Sequence, residues 1–252
     1  MVAFLRTLFF ALPAILLTIV ASVLVLVTAV LPVRVRFAII RVWYTLVLGL
    51  CAQVLGLRYR LIGRENIPSG ACVVLARHES AWETIALQQI FPPVVFVLKK
   101  SLLKIPFLGW ALAASRMISI DRSAGRDALR QVLTQGKKRL AEGISVVVFP
   151  EGTRTLPGES RRFKPGGAHL AASANAPAVP VAHNAGDFWT KRFAKQAGEI
   201  TVSIGPAIDP DGKTAEEINR LAEAWIAAEM RRIAPHRRTD AAPDTAPDAT
   251  AD

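Results

Sequence analysis

From Thr7 to Val33 the chain runs for 27 residues without a charged side chain. Wound as an α-helix, such a segment is about 40 Å long, against roughly 30 Å of bilayer hydrocarbon. It is too long for the apolar core of a secretory signal, about 7–15 residues, and the basic start of such a signal is reduced here to Arg6. A retained membrane segment is therefore expected. A second uncharged stretch, Val42–Leu57, has 16 residues, which is short for a span. Arg34, Arg36 and Arg41 lie between the two, and Arg58 and Arg60 follow. Such flanking cations favour the cytoplasmic side of a membrane or an anionic lipid surface. Residues 1–57 thus read as a helical hairpin that anchors the chain. Either it lies in one leaflet or its first helix crosses.

Beyond the hairpin, short runs dense in Val and Ile alternate with helical segments. The strand candidates are Arg58–Ile62, Ala71–Ala76, Val94–Leu98, Met117–Asp121, Ile144–Phe149, Val179–His183 and Ile200–Ile204. Helices are expected near Trp82–Ile90, Leu102–Ala114, Gly125–Glu142, Gly166–Ala174 and Thr214–Ile233. The last opens with Thr214 and, three residues on, Glu217, the signature of a capping box. This alternation predicts one α/β domain over 58–234, with a largely parallel central sheet flanked by helices and joined by right-handed crossovers. From Pro235 the chain turns to Ala, Pro, Asp and Thr without apolar periodicity, and 235–252 is expected to be a disordered tail.

The formal net charge is +11, and the acidic last 14 residues conceal a stronger excess of +15 in the rest. Aromatics do not interleave with the basic clusters, and an apolar anchor is present. Membrane lipids and phosphorylated substrates therefore fit the charge better than nucleic acid, which is not expected as a partner. Two cysteines, Cys51 and Cys72, are too few for a disulfide framework and fit no zinc spacing.

Two motifs begin where strand candidates end, the place where ligands of open α/β sheets gather. The first is Arg77-His78-Glu79-Ser80-Ala81-Trp82-Glu83. With His78 in a turn and Glu83 in the first turn of the following helix, imidazole and carboxylate can meet. The carboxylate would fix one ring nitrogen and leave the other free to take a proton. A solvated or core-satisfied histidine remains the plainer alternative. Ser80 reads as a helix cap, and no protein nucleophile is evident, which favours direct attack by a substrate hydroxyl. An activated water, and so hydrolysis, stays open. The second motif is Phe149-Pro150-Glu151-Gly152-Thr153-Arg154-Thr155. Its glycine permits close backbone approach, and its guanidinium suits a phosphate. Glu151 would hold that guanidinium or bond a substrate hydroxyl. The alternative is a surface turn with a local ion pair. Lys104, within the basic and apolar segment 99–110, and Arg122, after another strand, are further candidate cations. No nucleotide-binding glycine pattern occurs.

Together these blocks resemble the 1-acyl-sn-glycerol-3-phosphate acyltransferase family of the bacterial type. Four ordered blocks carry the resemblance: His78–Glu83, Met117–Arg122, Phe149–Thr155 and Val179–Asn184. The segment Lys100–Trp110 is also similar to the family's Lys-x-x-Leu-x-x-x-Pro-x-x-Gly region. The hairpin is similar to the family's membrane-docking two-helix element. The resemblance implies that His78 deprotonates the sn-2 hydroxyl of lysophosphatidic acid, which attacks the thioester of acyl-CoA or acyl carrier protein. Glu83 would orient His78. Arg122, Gly152 and Arg154, with Lys104, would hold the acceptor phosphate, while Glu151 and the rest of its block through Thr153 shape the pocket. It implies no metal and no cofactor beyond the thioester substrate, and a catalytic domain on the cytoplasmic face of the inner membrane. Two departures stand out. Glu83 occupies the place where Asp is usual, and Arg77 precedes the histidine where Asn is common. Glu83 bears mainly on the acceptor, so another lysolipid (a lyso-ornithine lipid or lysophospholipid) is a competing reading. A non-catalytic lipid-binding protein of the same fold is another.

Overall fold

The computed structural model describes residues 1–121 and 124–237. Two apolar helices come first, α1 (Val2–Val27) and α2 (Val33–Leu50), the second running on as a π-turn over Cys51–Leu55. Both are long and apolar enough to cross a membrane. In α1 the hydroxyls of Thr7, Thr18 and Ser22 donate to carbonyls four residues back, at 2.7–2.8 Å. These three hydroxyls are thereby satisfied without water. Pro32 ends the turn between the helices. Arg36 seals it, its Nη1 donating to the carbonyls of Thr28, Ala29 and Leu31 at 3.3, 2.7 and 3.0 Å. The Thr28 carbonyl also accepts the Leu31 N–H at 3.0 Å, while the others are acceptors of the kind that a helix end leaves over.

The rest of the chain builds a seven-stranded sheet with strands β1 (Leu57–Ile62), β2 (Val73–Ala76), β3 (Val94–Lys99), β4 (Ile118–Ile120), β5 (Ser145–Val148), β6 (Ala178–His183) and β7 (Gly198–Ile204). Their order is β1-β7-β6-β2-β5-β3-β4. All neighbours are parallel except β6 and β7. Every residue of β2, β5 and β6 is buried. That two-sided burial explains why these strands read as near-continuous apolar runs, broken only by Ser145 and His183 at their ends, rather than alternating ones. The connecting helices are α3 (Trp82–Ile90), α4 (Leu108–Ala114), α5 (Arg126–Ala141), α6 (Gly166–Ala174), the short α7 (Ala185–Phe188) and α8 (Ala215–Ile233). Helices α5, α6 and α8 pack side by side against β4, β2 and β6, while α2 packs on α3. The capping box of α8 forms in both directions, Thr214 hydroxyl to Glu217 N–H and Glu217 carboxylate to Thr214 N–H.

Two details differ from expectation. The helix expected over Leu102–Ala114 starts only at Leu108, and Lys100–Lys104 is a 3-10 turn. Pro106 has no N–H to continue a helix and forces Ile105 into extended backbone. Beyond Pro235, Arg237 is locked in place by three acceptors (described below), so order continues past the boundary expected for the tail. Residues 238–252 lie outside the described residues.

Candidate active site

Strands β2 and β5 are parallel neighbours, with Leu75 opposite Val148. The loops that follow them, carrying His78 and Glu151, therefore emerge side by side at one end of the sheet. His78 sits in the turn before α3, and its Nδ1 lies 2.8 Å from Oε1 of Glu83 in the first turn of that helix. The same Oε1 accepts the main-chain N–H groups of Glu79 and Ser80 at 2.9 and 2.7 Å. Ser80 Oγ donates to Oε2 and accepts Trp82 N–H. Ser80 thus supports the carboxylate, and the carboxylate ties the main chain of the preceding turn to the start of the helix. Burial alone would push the Glu83 carboxyl up. The imidazoles of His183 and His78 and the Ser80 hydroxyl outweigh it, bringing the pKa down to about 2. Glu83 is therefore an anion, and Nε2 is the His78 nitrogen left for a substrate. The Phe149 ring stacks on the imidazole, centroids 4.0 Å apart and planes 14° from parallel.

The Glu151–Thr155 segment grips the backbone of His78. Thr155 donates both its N–H and its hydroxyl to the His78 carbonyl, at 2.8 and 3.1 Å. Glu151 Oε1 accepts the His78 N–H at 3.4 Å and lies 4.0 Å from Arg77 Nη1. Glu151 is 4% exposed, and its Oε2 has no hydrogen-bond partner. Burial, only partly opposed by Arg77, raises its pKa to about 7. The carboxylate expected to hold Arg154 or a substrate hydroxyl instead faces inward, toward the base's main chain and Arg77. Gly152 has φ +73, and a Cβ there would come within 3.2 Å of the Lys164 side chain. Thr153 is exposed, so Thr155 is the hydroxyl of this block that reaches the site. His183 at the end of β6 places Nε2 2.8 Å from the Arg77 carbonyl, and Asn184 Oδ1 accepts Thr201 N–H at 2.8 Å. The Val179–Asn184 block therefore braces the site from beneath.

A cavity of about 390 Å³ opens at His78 and runs between the hairpin and the domain. Its walls are mostly apolar and come from α1 (Ala21, Val25), α2 (Trp43), α3 (Ile85), β3 (Leu98) and α4 (Ala111). Arg154 and Lys99 supply its cations. Lys104 is exposed and does not line it. Arg122 lies outside the described residues. Lys99 was missed in the sequence although a signal existed, since the spacing Lys-x-x-Leu-x-x-x-Pro-x-x-Gly fits Lys99, Leu102, Pro106 and Gly109. Among the described residues no group of three or more His, Cys, Asp or Glu side chains is arranged to hold a metal.

The chain is similar in sequence and fold to known acyltransferases. The model of the Acyltransferase family matches residues 58–184, from β1 to the residue after β6. A 1-acyl-sn-glycerol-3-phosphate acyltransferase of Pseudomonas aeruginosa is 46% identical over 182 residues, covering 71% of each chain. One from Saccharomyces cerevisiae is 34% identical over 170 residues, which are 65% of this chain and 56% of that one. The crystal structure of a 1-acyl-sn-glycerophosphate acyltransferase from Thermotoga maritima shares the fold, with a TM-score of 0.76 at 23% identity over 90% of this chain and 94% of that one.

Proposed function

This chain belongs to the acyltransferase family, and on that premise we propose that it is a 1-acylglycerol-3-phosphate O-acyltransferase. It moves a fatty acyl group from acyl-CoA or acyl carrier protein to the sn-2 hydroxyl of lysophosphatidic acid, giving phosphatidic acid. His78 Nε2 removes the hydroxyl proton as the oxygen attacks the thioester carbonyl carbon. Glu83 holds Nδ1–H and stabilises the imidazolium that results. When the tetrahedral intermediate collapses, the C–S bond breaks, and the imidazolium returns its proton to the departing thiolate. No enzyme nucleophile, metal or cofactor is required. Arg154 and Lys99 bind the acceptor's phosphate, Arg154 in the bidentate manner open to a guanidinium. The cavity takes an acyl chain, since its lining is mostly apolar and Arg154 and Lys99 are its only cations among the described residues.

The hairpin supports a membrane location. Helix α1 touches the domain from Phe4, whose ring lies 5.1 Å from that of Phe193, to Val25 in the cavity wall. Its other face leaves Phe9, Leu12, Leu16 and Val27 largely exposed. A helix held lengthwise against the domain favours the arrangement in one leaflet, with the apolar face among lipid chains. The arginines around the hairpin suit the cytoplasmic face of the inner membrane.

The observation that carries this reading is the 2.8 Å His78–Glu83 contact at the mouth of an apolar cavity that Arg154 also lines. The test is a panel of lysolipids given to the purified protein with a labelled acyl donor. Lysophosphatidate is expected to be acylated in preference to lyso-ornithine lipid, lysophosphatidylcholine and monoacylglycerol. Preference for an acceptor without a phosphate monoester would contradict it, and binding without turnover would favour the non-catalytic alternative.

A further inference from the structure

Beside the base lies a charged cluster that the chemistry above does not use. Glu79 follows His78 in the chain, and its side chain is completely buried. Oε1 accepts from Arg77 Nε at 2.7 Å and from Arg237 Nη1 at 2.6 Å. Oε2 accepts from Arg237 Nη2 and from Gly186 N–H, both at 3.0 Å. Arg237 Nε reaches on to Asp187 Oδ1 at 2.9 Å, and its side chain is only 7% exposed. Position 186 is shaped for this arrangement, because a Cβ there would lie 2.7 Å from Glu79 Oε2. A buried carboxylate is tolerated only when paired and hydrogen-bonded. Here four donors meet it, two of them from one guanidinium.

The clamped carboxylate sits on the backbone that builds the catalytic pair. The N–H groups of Glu79 and Ser80 are two of the three N–H donors on Glu83 Oε1, and the third group pointing there is His78 Nδ1. Fixing the Glu79 side chain from both sides fixes the peptide units that aim Glu83 at His78. Arg77, the other half of the clamp, also donates to the Glu159 carbonyl and stands 4.0 Å from Glu151, which accepts the His78 N–H.

We propose that Arg237, on the segment beyond α8, is a positioning residue for acyl transfer. It clamps Glu79 and so fixes the 78–80 loop in which the base meets its orienting carboxylate. This rests on the assignment of His78 as the base. Arg237 touches no reacting atom and stands 158 positions from Glu79 in the chain, so the segment after α8 completes the site from a distance.

The test uses the full-length protein in lipid micelles, with kcat and KM measured separately for both substrates and thermal melting as the check on folding. Arg237→Ala is expected to lower kcat about 10- to 100-fold with little change in KM for lysophosphatidate, as for loss of alignment without loss of binding. Guanidinium ion at low concentration should restore part of that rate. Arg237→Ala combined with Glu79→Gln should be no slower than the worse single variant, because both act through one contact. A folded Arg237→Ala protein with unchanged kcat would overturn the proposal, as would a change confined to KM. Should Arg237→Ala fail to fold, the paired Glu79→Gln/Arg237→Gln variant removes the Glu79–Arg237 charge pair together and leaves Arg77 bonded to the new amide oxygen at position 79 and to the Glu159 carbonyl. Unchanged kcat in that folded protein would equally overturn the clamp. His78→Ala is run beside them. If it stays active, the base assignment fails. If it is inactive while the Arg237 variants are unimpaired, only the clamp fails.

Discussion

Glu83→Gln separates the charge of the orienting group from its geometry. Three nitrogen donors converge on Oε1: His78 Nδ1 and the N–H groups of Glu79 and Ser80. A glutamine therefore keeps its oxygen at that point and turns its NH₂ toward Ser80 Oγ, which has lone pairs to receive it. The His78 tautomer and the loop persist, and the negative charge is lost. During transfer His78 becomes an imidazolium whose Nδ1 lies 2.8 Å from the carboxylate oxygen. At an effective dielectric constant of about 20, and with charge centres about 3–4 Å apart, the attraction is about 4–6 kcal/mol. The amide dipole returns part of this, leaving a loss of about 3–5 kcal/mol and a fall in kcat of about 10²–10⁴-fold. Initial rates of labelled acyl transfer at saturating donor and acceptor measure it. KM for lysophosphatidate should hold, since Arg154 is untouched. The loss should also be uniform from about pH 5 upward, because Glu83, with a pKa of about 2, is ionised throughout that range. A folded Glu83→Gln enzyme within tenfold of the parent would refute the electrostatic role.

Arg154→Ala should raise KM for lysophosphatidate about 10- to 100-fold while leaving kcat nearly unchanged, matching the loss of charge-assisted bonds worth about 1.5–3 kcal/mol. Weakened donor binding with unchanged acceptor KM would place Arg154 elsewhere. Glu151, with its pKa raised to about 7, contributes stability that is full below its unfolded pKa of about 4.3 and is lost as pH rises through 7. Glu151→Gln should therefore flatten the fall in melting temperature between pH 5 and 8, and an unaltered pH profile would deny the shift. Glu83 has the opposite sign, and its contribution, present above pH 4.5, should vanish as pH falls toward 2. Arg36→Ala removes the side-chain donor from the Ala29 and Leu31 carbonyls at the hairpin turn, while Thr28 keeps the Leu31 N–H. It should cost about 1.5–3 kcal/mol and speed proteolysis between Thr28 and Pro32, with transfer chemistry intact in the folded fraction.

The sheet was legible because its central strands are buried on both faces and so are almost wholly apolar, as Val73–Ala76 and Val146–Val148 are. The His78–Glu83 pair was legible because both residues lie within one turn of a helix start, where local geometry decides whether they meet. Contacts closed by distant segments left no such trace. Nothing in the sequence near Glu79 points to Arg237, and the Ala- and Pro-rich composition after Pro235 argued against order there. Glu151 was placed correctly at a strand end, but its direction depends on Arg77 and the His78 main chain, which only the packing brings together. Lys99 and Lys104 are chemically alike. The interruption of the helix by Pro106, which ends the regular turn before Leu108, leaves Lys99 at the end of β3 and facing the cavity, while Lys104 stays exposed.

The most direct measurement is phosphatidate formation from labelled acyl donor and lysophosphatidate by His78→Ala, beside the parent protein, with both bound to anionic lipid vesicles. With the base removed, turnover should fall about 10²–10⁴-fold, while vesicle binding and melting temperature stay at parental values. Phosphatidate produced at the parental rate by the folded, vesicle-bound His78→Ala protein would contradict the assignment of this site as the acyl transfer centre.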